Sequence, residues 1–474
     1  MNRYLLIIAL AYLSSSAFAE ESIWYKSGDP LNTQINTLPK IPDGYRESNS
    51  PCATANLNQP ITLAEVADTS LCNNPQTNEV WASARAQAAQ LGIAKSAYLP
   101  SVTANLSTGF SVSNPESNRS NPNMNLGTNL AANYLLYDFG NRNANLENAR
   151  QLLLSASASQ SSVVQSVLLT AAVSYYQVQA NIAALDAARQ AESASEEAYK
   201  AADARYKAGV STPADKLQAQ TAFAQLTLTR ITSEGNLQIA YGNLVNVMGL
   251  PANQKVVLVA NTSNPPANIM EDVNSLIEQA GARRPDLVAS EAQVKAAQAN
   301  IDASKAATKP TISISTSNSL QDGSQLNYSN NSNLGITVSI PLFAGYAPTY
   351  RIRAAEATAD LRAAQRDRLR LQISLDVWTA YQSLRTALES VTATQILVSS
   401  AEQSYRVALG RYKAGVGNII DTLTAQSALA SARQQNIQAA LNSNIARATL
   451  AQAMGALDNA MIQSLPNSST LSTN

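Results

Sequence analysis

Histidine is absent from the 474 residues, and only two cysteines occur, Cys52 and Cys72. Imidazole bases, histidine-activated thiolates and tetrahedral zinc sites all need those residue types, so the chain offers no such centre. No phosphate-cradling glycine fingerprint occurs either. These absences predict a protein that is not an enzyme and that holds no metal and no cofactor. Cys52 and Cys72 lie close together near the start of the chain. In an oxidising compartment they are expected to pair. Closing that loop contributes on the order of 3 kcal/mol in the chain-entropy model, and the alternative is two unpaired small apolar side chains. What remains is carboxylate chemistry. Asp215 and Asp421 each fall in the first turn of a helix capped by Thr212 or Asn418. There a carboxylate meets the positive end of the helix macrodipole. With 33 acids against 33 bases, and charged residues only 14% of the chain, no basic surface for nucleic acid exists.

Those aspartates stand in duplicated surroundings. Arg205-Tyr206-Lys207-Ala208-Gly209-Val210 recurs as Arg411-Tyr412-Lys413-Ala414-Gly415-Val416, a displacement of 206. The same displacement carries Asp215 onto Asp421, Tyr175 onto Tyr381 and Met248-Gly249 onto Met454-Gly455. Upstream the displacement is 210, carrying Pro75 onto Pro285 and Pro100 onto Pro310. The difference places a small indel between the copies, where loops absorb it. The chain is one unit written twice: helix, two strands, long helix, helix.

The positioning elements follow from glycine and proline. Neither residue occurs between Gly140 and Gly209, which allows one helix of about 100 Å. The matching run lies between Pro348 and Gly410. Within it Val377, Tyr381, Leu384, Leu388 and Val391 keep a four-three-four-three spacing, as do Ala171, Tyr175, Val178, Ile182 and Leu185. That spacing is a coiled-coil seam. Gly209 and Gly415 suit left-handed helix ends, and Pro213 suits the first turn of the next helix. Each copy therefore closes in a tight hairpin. The copies differ at Thr212 against Asn418 and at Pro213 against Ile419, which suggests that one hairpin anchors while the other moves.

Before each long helix the period changes to two. Val102, Ala104, Leu106, Phe110 and Val112 alternate with polar residues, as do Met124, Leu126, Leu130, Tyr134 and Leu136. In the second copy Ile312 and Ile314 open one strand, and Leu334, Ile336, Val338, Ile340 and Leu342 form the next. Such lengths suit tilted transmembrane strands. Tyr134, Tyr137, Phe139 and Phe343 stand where an interfacial belt would lie. One side would face outer-membrane lipid and the other, rich in Asn, Ser and Thr, a wet lumen; a soluble sandwich would show the same alternation. Ser113 to Asn123 and Gln321 to Asn333 read as exposed loops. Four strands cannot close a barrel, because an open edge in lipid leaves backbone groups unpaired, so several chains must share one. The chain begins with Arg3, an apolar run from Leu5 to Leu13, and Ala17-Phe18-Ala19. This reads as a secretory signal peptide, and no later stretch is expected to cross a membrane as a helix.

In its duplication, both Arg-Tyr-Lys-Ala-Gly-Val strings, the Pro100 and Pro310 junctions and Leu342-Phe343, the sequence resembles the TolC-like outer-membrane efflux and secretion channels over roughly residues 60 to 458. The resemblance implies an α+β membrane protein: a homotrimer with a shared transmembrane β-barrel, four strands per protomer and twelve per trimer, continuous with a long periplasmic α-helical barrel. It implies a passive exit duct serving a periplasmic adaptor (membrane fusion protein) and an inner-membrane transporter, for efflux or type I secretion. It places a tunnel-end gate at Tyr412, Asp215 and Asp421, with Tyr206 the repeat counterpart of Tyr412. The family's best-known members carry arginine where this chain has Gly417 and an acid where it has Thr424. The arginine-centred lock between protomers therefore lacks its cation, and Asp421 supplies the one carboxylate per protomer of an acidic ring that would attract cations.

The expected division is a signal peptide at 1–19, an extended N-terminal periplasmic segment at 20–60 and a first repeat at 61–255 with strands 102–112 and 124–137. A linker at 256–267 leads to a second repeat at 268–458 with strands 311–320 and 333–343, and a flexible tail at 459–474 follows. The competing expectation is a pore-less periplasmic coiled-coil adaptor or structural protein.

Overall fold

The computed structural model describes residues 28–40, 59–111, 123–259, 272–323, 328–458 and 462. The expected signal peptide lies outside them, as do Cys52, the expected Ser113 to Asn123 loop except Asn123, and the expected tail except Ile462. The chain separates into two compact units: Met1–Thr37, Ser83–Ser157 and Ala289–Arg366 form one, and Leu38–Ala82, Ala158–Val288 and Asp367–Asn474 the other.

The duplication is visible element by element. Helices α1 (Leu63–Asn73) and α2 (Pro75–Ser96) return as α5 (Val273–Arg283) and α6 (Pro285–Ala306). The long helix α3 (Asn141–Lys207) and α4 (Pro213–Val247) return as α7 (Ala347–Lys413) and α8 (Ile419–Ala453). Both long helices have 67 residues and both following helices 35. Helix α7 runs through Gly410 to Lys413, because a single glycine costs only about 1 kcal/mol inside a long helix.

The first unit holds a four-stranded antiparallel sheet in the order β1 (Ser101–Ser111), β2 (Asn123–Tyr137), β3 (Thr311–Gly323), β4 (Ser329–Ser339). Its register puts apolar residues in rows: Ala104 faces Leu130, Phe110 faces Met124, Tyr134 faces Ile314, and Ile314 faces Ile336. That row is exposed, with Phe110 at 72% and Leu334 at 72%. Strands β1 and β4 each have one paired neighbour in the sheet. The strands differ from expectation by one residue at β1 and at the start of β2, and by more in the second pair. Strand β4 stops at Ser339 instead of reaching Phe343, since Pro341 has no N–H for a ladder. Part of the expected Gln321 to Asn333 loop is strand, with Asn318 Nδ2 donating to Asn330 Oδ1 (2.9 Å) and Ser332 Oγ (2.8 Å) across the pair. A bulge between Leu135 and Tyr137 sets Tyr137 opposite Ile312, so Leu136 is the extra residue and the apolar row passes to Tyr137.

Within this unit Ala88 and Leu91 of α2 pack on Ala149 and Leu153 of α3. Asp138 caps the start of α3: its carboxylate accepts from the backbone N–H of Gly140 and Arg142 and from Arg142 Nε at 3.1 Å. The N-terminal segment is less extended than expected, with a 3-10 turn at Gln34–Asn36, a buried Thr33, and the Leu31 carbonyl accepting from Lys95 Nζ.

The second unit is helical. Its main core joins Val164, Leu168, Ala171 and Tyr175 of α3 to Leu244 of α4 and to Leu441 and Ala448 of α8. By composition one stretch of α3 is apolar enough to span a membrane, contrary to expectation. Its apolar side chains instead build this core. The first seam is buried at Ala171, Tyr175, Val178 and Leu185, whereas Ile182 is 37% exposed. Desolvation pushes the Tyr175 hydroxyl up to about 12. The expected 256–267 linker begins in structure: Leu258 bridges Ile61 in parallel, Ile61 N–H donates to the Val257 carbonyl, and Val259 N–H donates to the Ile61 carbonyl. Cys72 is disulfide-bonded.

Candidate functional site at the helical hairpins

Both Arg-Tyr-Lys-Ala-Gly-Val strings fold alike. Gly209 and Gly415 have φ of +72° and +78°. Val210 N–H donates to the Arg205 carbonyl and Gly209 N–H to the Tyr206 carbonyl; Val416 and Gly415 repeat the pair on Arg411 and Tyr412. This paired closure needs a residue at positive φ that carries no β-carbon.

Beyond the turns the hairpins diverge. In the first, the Thr212 hydroxyl accepts from Asp215 N–H at 3.3 Å, and the Asp215 carboxylate accepts from Thr212 N–H at 3.1 Å. With Pro213 at the first helical position, this is a complete capping box. Asp203 takes Lys207 and Lys216, each at 2.7 Å. Hydrogen bonds from Lys207 and then Lys216 hold the Asp203 carboxyl below the usual carboxylate range. In the second hairpin Asn418 caps only Ile420 N–H, at 3.1 Å. The Asp421 carboxylate is exposed, and among the described residues it takes no hydrogen bond or ion pair. The Thr422 hydroxyl, fully buried, donates to the Ala408 carbonyl.

Asp421, Gly417 and Thr424 line one open groove of about 540 Å³ together with Arg411. Asp215 sits apart in its capping box. Tyr412 is buried against Ala202, Ala219 and Ile419, so the second hairpin is keyed into the first. The Tyr412 hydroxyl has no hydrogen-bond partner among the described residues, so it makes no hydrogen bond to Asp215. Tyr206 is exposed at 40%, with Lys216 Nζ over its ring at 5.4 Å. A β-carbon on Gly417 would stand 2.9 Å from the Tyr412 nitrogen and 3.0 Å from the Arg411 carbonyl carbon. Gly417 is therefore a requirement of the turn.

Two arginines went unread in the sequence. The Arg205 guanidinium lies over the Tyr412 ring at 4.9 Å and donates from Nη1 to the Tyr412 carbonyl at 3.0 Å. Its place in the repeated string was the available signal. Arg284 ties α5 to the second long helix: it bonds Asp286 at 2.6 Å and Asp376 at 3.1 Å and donates to the Ala453 carbonyl. The Arg284-Pro285-Asp286 string at a helix junction was its only sequence trace.

Known proteins share this architecture. A family profile described as outer membrane efflux protein matches residues 66–250 and 276–456, one match per repeat. Protein CyaE of Bordetella pertussis is 29% identical over 413 residues, covering 86% of each chain. Outer membrane efflux protein BepC of Brucella suis is 26% identical, covering 81% of this chain and 83% of its own. Among solved structures, the CmeC outer membrane channel of Campylobacter jejuni superposes with a TM-score of 0.75 at 17% identity, covering 93% of each chain. At that identity the likeness is one of fold. Proteins of this family are outer-membrane channels that extend into the periplasm, not enzymes. Their channels are trimeric and work with periplasmic adaptors and inner-membrane pumps. The matched profile spans both repeats, and the chain belongs to the outer membrane efflux protein family, the TolC-like channels, as an exit duct of the outer membrane.

Proposed function

We propose that three copies of this chain associate head to tail in a closed ring, sharing a twelve-stranded barrel, and pass substrate received from an inner-membrane transporter through a periplasmic adaptor. The observation that carries the ring is a mismatch between repeats. Ala172 of α3 is fully buried, and Leu169 of α3 and Ile445 of α8 both pack against the same core. Their repeat counterparts on α7, Trp378 and Leu375, are exposed, Trp378 at 48%. Ile239 of α4, the counterpart of Ile445, is 64% exposed. One interface between repeats is thus made inside the chain, and both halves of its equivalent are left open. Burying them requires another copy, α7 of one against α4 of the next. Two different faces meeting in this way form a ring when the rotation closes, and a closed barrel shared by the chains imposes that closure.

The sheet makes the same demand, since β1 and β4 each end it on one side and an unpaired edge is untenable in lipid. At the tunnel end Asp421 contributes one carboxylate per copy to a ring that attracts cations, with the Tyr412 hairpin as the moving part and the capped Asp215 hairpin as the anchor. No side chain performs chemistry; the cargo diffuses. The test is conductance of the purified protein in planar bilayers together with its native mass. Wild type should conduct as a trimer and Trp378→Asp should remain a single chain without conductance. A trimeric, conducting Trp378→Asp variant contradicts this ring.

A further inference from the structure

The repeat that leaves one interface open also leaves one arginine open. Within the chain, the arginine of the first string reaches the tyrosine of the second: Arg205 stacks on the Tyr412 ring at 4.9 Å and bonds its carbonyl at 3.0 Å. The reciprocal pair consists of Arg411 and Tyr206. Arg411 is exposed in the groove that holds Gly417 and Asp421, and among the described residues its guanidinium takes no hydrogen bond or ion pair. Tyr206 is exposed on the first hairpin and offers a ring that already attracts the Lys216 ammonium on one side.

We propose that Arg411 of one copy stacks on Tyr206 of the next and donates to its carbonyl, so that repeat-related arginine–tyrosine latches alternate around the tunnel end, one within each chain and one between chains. This rests on the ring proposed above. The backbone supports it, because both strings end in the same turn, with Gly209 and Gly415 at φ of +72° and +78°. The Tyr206 carbonyl is therefore presented as the Tyr412 carbonyl is. The guanidinium is suited to this double contact, since it stacks flat on an aromatic face while its edge donates to an oxygen. The cation that joins neighbouring chains is then Arg411 in place of a residue at 417, where the turn admits no β-carbon. Because the latch between chains is rimmed by Lys216 and the one within the chain is buried beside Ala202 and Ala219, the former is the weaker and opens first.

The test uses the full-length protein in membranes. Arg411→Cys with Tyr206→Cys, treated with a short bismaleimide, should give bands of two and three chains on denaturing electrophoresis. Arg205→Cys with Tyr412→Cys should crosslink at single-chain mass. In bilayers, Tyr206→Ala should raise the open-to-closed ratio about threefold, the scale of one exposed cation–π contact; Arg411→Gln, which also removes the bond to the carbonyl, should raise it at least as much, and the double variant should do no more than Arg411→Gln alone. Single-chain bands from the Arg411–Tyr206 pair in a preparation that conducts, or additive effects of the two substitutions, overturn the latch and leave the duct standing. A wild type that is monomeric and silent overturns both.

Discussion

Gly417 lies directly behind Tyr412: a β-carbon at 417 would stand 2.9 Å from the Tyr412 nitrogen. The backbone at Tyr412 and any side chain at position 417 thus compete for the same space. Gly417→Arg is expected to distort the second hairpin and not to restore a lock. Overpacking of this kind costs about 1–3 kcal/mol. Thermal unfolding should show it as a lowered midpoint, with Gly415 and its turn losing amide protection.

Asp421→Asn is expected to weaken block of the channel by multivalent cations. The Asp421 carboxylate has no partner among the described residues, so its field is directed at the groove and is not spent on an ion pair. Removing like charges from a narrow ring lowers local cation concentration. Single-channel recordings against cation concentration measure it, and an unchanged apparent affinity sinks the ring. Asp215→Asn should leave cation block alone and instead weaken the first hairpin by about 0.3–1 kcal/mol, the worth of a first-turn carboxylate facing the helix dipole, since the amide oxygen still accepts from Thr212 N–H.

The first hairpin should loosen in acid. Asp203 is held below its ordinary value by Lys207 and Lys216, so its contribution is complete above the unfolded value of about 3.9 and fades as pH falls toward the folded one. Lys216, raised by its bond to Asp203, contributes fully below about 10.4 and loses its share as pH rises beyond it. Hydrogen-exchange protection factors across residues 203 to 217 should drop between neutral pH and pH below about 4 in wild type, relative to Asp203→Asn, where the drop should be absent.

Arg284→Ala should destabilise the second unit by about 2 kcal/mol, the value of charge-assisted hydrogen bonds in a partly buried setting. It leaves Asp376 and the Ala453 carbonyl without the donor they share. Arg284→Lys should recover only part, because one ammonium cannot span both aspartates. Denaturant midpoints at constant slope would report both.

Long-range order was readable wherever chain punctuation was unambiguous. The absence of proline and glycine after Gly140 and the duplicated strings gave both long helices and their hairpins, since nothing local competes with helix over such a run. Alternation gave four strands but not their ends. The Leu136 bulge and the extension of β4 to Ser329 depend on cross-strand partners that only the register supplies. The helical seam was legible except at Ile182, whose exposure depends on which neighbour a helix finds. For the residues expected at the tunnel end, the first-turn helix positions of Asp215 and Asp421 were legible, whereas the partner of Tyr412 was not. Asp215 is paired locally with Thr212, three residues away, whereas Tyr412 meets Arg205 across a separation of 207 residues. The Ile61–Leu258 bridge is invisible for the same reason.

A ring of three chains around one tunnel is open to direct view by electron microscopy of the full-length protein purified in detergent. The expected image is a hollow particle of threefold symmetry, with pseudo-sixfold density where the two repeats alternate. A solid particle, a single chain, or a ring of any other order contradicts it.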